Sequence, residues 1–132
     1  MTQITKLRLK LAARLFVFTW FFIGGISHFV ITDFYLRIMP PYIPFHLACI
    51  YISGAFELLG AFGLWVKPWR SFAGYGLMLL TAVVTLANVQ MYQTSEMFPT
   101  IPVWVLIIRF PTQVLLLWLI WWSSRPDVDT TT

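Results

Sequence analysis

Apolar residues along this chain fall into four runs, at residues 11–31, 46–66, 72–92 and 102–122. Each has close to the ~20 residues that a helix needs to cross a bilayer. The pattern therefore predicts an all-α integral membrane four-helix bundle. Each run also holds one or two side chains that hydrocarbon does not accept: His28 in the first, Glu57 in the second, Asn88 in the third, Arg109 and Gln113 in the fourth. Polar and ionisable groups within a span are costly and as a rule face the bundle interior, where they mark candidate functional sites.

Helical spacing gathers these residues into stripes. His46, Cys49, Ser53, Glu57 and Gly60 lie on one face of the second span, and Thr81, Thr85, Asn88 and Tyr92 on one face of the third. Arg109 and Gln113 share a face of the fourth, Gly24 and His28 a face of the first. Such stripes are expected to meet inside the bundle. At ~1.5 Å of rise per residue, Glu57 and Gln113 lie ~16 Å from the outer ends of their spans, Arg109 ~10 Å, and His28 and Asn88 within ~6 Å. A pocket opening to the extracytoplasmic side and floored near Glu57 is expected. Within it Glu57 and Arg109 form the natural ion pair, because a lone carboxylate there would lose its charge. Ser53 and Gln113 would complete the hydrogen bonding. The bland alternative is that these groups, with Gly54, Gly60 and Gly63, only hold the helices together. Cys49 reads more simply as a small buried apolar residue than as a nucleophile.

The connections set the expected orientation. Lys6, Arg8, Lys10 and Arg14 precede or begin the first span, Lys67 and Arg70 separate the second and third, and Arg125 follows the fourth. Lysine and arginine favour the cytoplasmic side, which places both termini there. Loop 32–45, rich in aromatics and prolines, then faces outward, either along the interface or folded over the bundle as a lid. The polar tail from Ser123 onward is expected to fray.

Composition narrows the classes. A 132-residue chain that is 59% hydrophobic and 11% charged has too little polar surface for a soluble domain of this size. The net charge of +4 does not argue for nucleic acid, because the basic residues sit at span ends rather than on a recognition face. A single cysteine excludes an intrachain disulfide and a CxxC pair, and no metal site is expected. The basic N-terminus followed by an apolar run suggests a signal peptide, but the run is too long and no small-x-small site follows, so it is taken as a retained span.

Four strings carry a family resemblance. They are His28-Phe29 followed by Asp33-Phe34-Tyr35-Leu36-Arg37-Ile38-Met39-Pro40-Pro41-Tyr42-Ile43-Pro44; Ser53-Gly54-Ala55-Phe56-Glu57-Leu58-Leu59-Gly60; Ala87-Asn88; and Arg109-Phe110-Pro111-Thr112-Gln113 followed by Trp118-Leu119-Ile120-Trp121-Trp122. Together they resemble the DoxX-like family of small membrane proteins over roughly Phe21 to Trp122. The resemblance implies one four-span domain over residues 1–132. It also implies association with quinone-linked or other membrane redox systems, while vertebrate relatives look more like assembly chaperones.

The expectation is thus a bundle of the bacterial inner membrane that binds a small apolar ligand such as a quinone. Glu57, Arg109, Gln113, Asn88, His28 and Ser53 would form the ligand site. Expected partners are the bilayer, the ligand and a redox partner protein, with a homo-oligomer left open. Whether the chain is an enzyme is also open; if it is, it acts as an oxidoreductase component with quinone or a partner. The alternative is a non-catalytic accessory or assembly subunit whose polar core is structural. A transporter, a lipid isomerase and a bis-histidine haem protein have less support.

Overall fold

The computed structural model describes residues 1–127, and every regular element in them is helical. The elements are α1 (Gln3–Val30), α2 (Thr32–Ile38), α3 (His46–Gly63), α4 (Arg70–Gln93) and α5 (Val103–Ser124), with 3-10 turns at Lys67–Trp69 and Ser95–Met97. Four of the helices are long and apolar enough to cross a membrane. Their outward faces carry Leu59, Phe72, Leu79 and Val114, all largely exposed. An apolar surface of that extent fits a lipid environment and not water.

Helix ends depart from the apolar runs for identifiable reasons. α1 starts well before Leu11, because its basic segment consists of good helix formers and the Thr2 hydroxyl accepts from the Thr5 N–H at 3.2 Å. Loop 32–45 holds a further helix, α2, tied to the end of α1 by the Thr32 hydroxyl, which donates to the His28 carbonyl at 2.9 Å. The turn into α3 passes through Phe45 in the left-handed region (φ 54°), an uncommon conformation for so bulky a residue. α5 continues through Pro111 without interruption.

The long helices form a ring in which α1 packs on α3 and α5, and α4 on α3 and α5, leaving α3 and α5 on one diagonal. Glycines set two of these seams. A β-carbon on Gly25 would lie 3.0 Å from the Gly54 carbonyl, and one on Gly54 would lie 2.7 Å from His28 Cβ, so α1 and α3 cross backbone to backbone. Gly60 and Gly63 admit Leu77 and Ala73 of α4 in the same way. Two apolar layers result. One, near the termini, joins Val17, Phe21, Ala61, Leu64, Leu77, Leu116 and Ile120. The other, at the α2 end, joins Ile38, Met91, Phe98 and Leu106.

The chain end is not frayed where it is described, which corrects the expectation for the tail. Ser123 and Ser124 are buried, and the Asp127 carboxylate receives Arg14 at 3.3 Å, Arg70 at 3.0 Å and Lys10 at 3.7 Å. Residues 128–132 lie outside the described residues. The two buried arginines also satisfy carbonyls that helix ends leave without partners. Arg14 donates to Ser123 O at 3.0 Å, and Arg70 to Leu64 O at 2.8 Å.

Two measurements check this arrangement. Gly54→Val should lower stability in detergent by about 1–3 kcal/mol, because backbone must move to admit the side chain. Gly76→Ala, whose new methyl meets nothing within 4 Å, should be neutral or stabilising. The second concerns pH. Burial raises the Asp127 pKa, but Arg14, Arg70 and Lys10 together outweigh it and hold the carboxyl below its usual 3.8. A depressed carboxylate pKa stabilises the fold above the unfolded value, and that stabilisation is lost as pH falls through the folded value. Thermal unfolding should therefore separate wild type from Asp127→Asn near neutral pH, and the gap should close as pH falls below the usual carboxylate value and through the folded one.

Candidate functional site

Between the two apolar layers lies a cavity of about 630 Å³. Phe21 and Leu116 form its floor, about one helical turn below Glu57, and Ile38, Met39 and Pro40 roof it. The roof stands where the sequence suggested an opening: α2 and the residues after it fold over the bundle. His28, Ser53, Glu57, Asn88, Arg109 and Gln113 all border this one cavity.

The carboxylate of Glu57 meets His28, not Arg109. His28 Nε2 lies 3.2 Å from Glu57 Oε1, both side chains being buried. The other ring nitrogen, Nδ1, lies 3.0 Å from the Ile50 carbonyl, which can only accept, so Nδ1 carries a proton. Nε2 and Oε1 thus face each other at ion-pairing distance. The expected Glu57–Arg109 pair is absent because α3 and α5 stand on the ring diagonal, whereas the glycine crossing presses α1 against α3. Gly24 completes the fit, since a β-carbon there would sit 2.6 Å from Glu57 Oε2.

Arg109 reaches the cavity from α5. Its one hydrogen-bond partner among the described residues is the Met91 sulfur, at 3.1 Å, and no carboxylate pairs with it there. Asn88, Ser53 and Glu57 Oε2 likewise make no side-chain hydrogen bond among the described residues. Among the described residues no fully buried side-chain nitrogen or oxygen lacks a partner, so the unpartnered atoms of these cavity-lining residues keep some accessible surface. Gln113 is occupied elsewhere, accepting from the Thr85 hydroxyl at 3.1 Å and lying 3.5 Å from the Thr81 carbonyl. It joins α4 to α5. Cys49 also borders the cavity, and its thiol lies 3.4 Å from the Pro44 carbonyl. His46, at the start of α3, does not line it.

Tyr35 is the member of the site that spacing arguments miss, because it stands on α2 and reads as an interfacial aromatic. Its ring stacks on His28 with centroids 4.0 Å apart, and its hydroxyl lies 2.6 Å from Ser27 Oγ. Burial pushes the phenol above its ordinary value of 10.0; the Ser27 hydrogen bond and Arg109 oppose the shift, and Glu57 adds to it. Tyr35 thus stays protonated at neutral pH. The amphipathic character of loop 32–45 was the available signal. Among the described residues no group of three or more His, Cys, Asp or Glu side chains gathers as a metal site would require.

Fold and cavity together define a small helical membrane protein with a polar chamber at the depth of its spans. A family model described as "Domain of unknown function (DUF8561)" matches residues 5–124, and the chain belongs to that family. No curated protein and no solved structure matches it.

The fit at Gly24 can be checked directly. Gly24→Ala should leave the bundle folded, since the clash falls on the mobile end of Glu57, yet displace the carboxylate. The His28 side-chain ¹⁵N resonances should shift in Gly24→Ala and stay put in Gly76→Ala.

Proposed function

We propose that this chain is an intramembrane binding protein for a small, largely apolar ligand with an oxygen-bearing head, of which a quinone is the best-fitting class. The observation that carries this reading is Arg109. Its guanidinium has five N–H donors, faces the cavity, and finds only a thioether among the described residues. A ligand carbonyl or oxyanion there would supply the acceptor it lacks. Asn88 and Ser53 would hydrogen-bond the same head. His28 and Glu57, side by side on the cavity wall, would offer a second head-group oxygen a donor or acceptor. Tyr35 would bracket the ring. The volume suits such a guest, since ligand pockets run to roughly 300–1,000 Å³.

The resemblance to the DoxX-like family supports a membrane redox setting for this binding. None of the cavity side chains is a dedicated electron carrier, so a redox role requires a partner protein or a tightly bound cofactor. The distribution of lysine and arginine supports an inner-membrane orientation with both termini cytoplasmic and α2 outside. A second reading, an accessory or assembly subunit with a structural polar core, has its own support: Gln113 and His28 each bridge two helices. An accessory subunit would co-purify with a partner chain and leave the cavity without a ligand.

The test uses purified protein in lipid nanodiscs and a decyl-tailed benzoquinone as probe, with tryptophan quenching as readout. Arg109→Gln should weaken binding at least tenfold, the loss of about 1.4 kcal/mol or more. Arg109→Lys should recover part of it, and Glu57→Gln should weaken binding while the fold survives. Full-affinity binding in both Arg109→Gln and Glu57→Gln would end the proposal.

A further inference from the structure

We infer that the ligand reaches this chamber sideways, from the bilayer, and that it is a tailed amphiphile whose chain leaves through the seam between α1 and α5. The inference rests on the binding reading above and adds the ligand class and its route. It follows from which walls of the cavity are closed.

The roof is apolar and backed by the buried layer of Met91, Phe98 and Leu106. The floor, Phe21 and Leu116, rests on the other layer. The α1/α3 seam is shut by the Gly25–Gly54 crossing and by the hydrogen bond from His28 to the Ile50 carbonyl. The α4/α5 seam is tied by Gln113 to Thr85 and by Arg109 to Met91. Two seams remain, and there the cavity lining includes residues that also face outward. On the α1 side these are Trp20, 46% exposed, and Ile23, 62% exposed; on the α3/α4 side they are Ile52 and Val83. A residue that borders an interior cavity and is also largely exposed marks where the two spaces join.

Of the four seams, α1/α5 is the least extensively packed. Its named contacts lie at the terminal end, in the hydrogen bond from Arg14 to the Ser123 carbonyl and in the apolar layer of Val17, Phe21, Leu116 and Ile120. Higher up, α5 contributes Thr112, whose hydroxyl donates to its own helix at Ile108 O, 2.8 Å away. An apolar chain crossing there need not desolvate a free polar group. A head held by Arg109 and Asn88 would thus sit in the chamber while its tail stayed among lipid tails. Such a ligand need never cross the aqueous phase.

Two probes in nanodiscs test this, decyl-tailed benzoquinone and the same ring without its tail. Ile23→Trp and Thr112→Trp narrow the seam; Val114→Trp alters an outward position on α5. Each seam variant should slow association of the tailed probe at least tenfold and of the tail-less ring by less, while Val114→Trp changes neither. Tailed association at the wild-type rate in both seam variants, or a loss confined to the tail-less ring, would overturn the route. Lateral entry lost while Arg109→Gln still binds normally would instead remove the head site, and no binding of either probe to wild type would remove both. If the tryptophan variants do not fold, wild type embedded with a phosphatidylcholine bearing a mid-chain photoreactive group carries the test. Label on Thr112 and Gly24 supports the seam, and label confined to outward positions such as Val114 overturns it.

Discussion

Gly25 and Gly54 meet where α1 and α3 cross, and most of what is distinctive in the bundle follows from that approach. With no β-carbon on either side, the helices close until His28 can reach the Ile50 carbonyl with one nitrogen and Glu57 with the other. Gly24 then leaves the carboxylate a resting place against bare backbone. Larger residues would hold the helices apart, and both polar groups would lose the partners that hydrocarbon cannot replace. The crossing therefore sets the hydrogen bonding of the chamber as well as the packing of two helices.

The distribution of charge follows a related logic. At the terminal end three cations converge on one carboxylate, and two of them also occupy helix-end carbonyls, so each charge has a partner and each helix end a donor. In the chamber the arrangement is deliberately incomplete by comparison. Glu57 is matched by His28, Gln113 by Thr85, and Arg109 by a sulfur alone. Incomplete satisfaction next to a cavity is what the proposed binding reading rests on, since polar groups that only join helices satisfy one another.

Much of this was legible from the residues. Run lengths locate the four long helices, and the 3.6-residue period gathers Cys49, Ser53 and Glu57 on the face of α3 that borders the cavity. Periodicity fixes a face but not the neighbour that face meets. The Glu57–Arg109 expectation failed on that point, because nothing in the spacing says that α3 and α5 stand on a diagonal. Tyr35 was hidden for another reason: a seven-residue helix inside a proline-rich loop has too little pattern to show which side turns inward. The tail misled through composition, since Ser123, Ser124 and Asp127 read as solvated until the buried cations that receive them are known.

Among the described residues no carboxylate lies within ion-pairing distance of Arg109, so its guanidinium stands in the chamber without a paired counter-charge. In the proposed orientation, with α2 outside, that charge would lie about a third of the way into a ~30 Å hydrocarbon layer, within the transmembrane field. Carrying one elementary charge through the whole field is worth ~2.3 kcal/mol per 100 mV. An anionic guest docking at that depth would thus feel roughly a third of it. Occupancy of the chamber by such a guest would vary with membrane voltage, whereas a neutral guest would be indifferent to it.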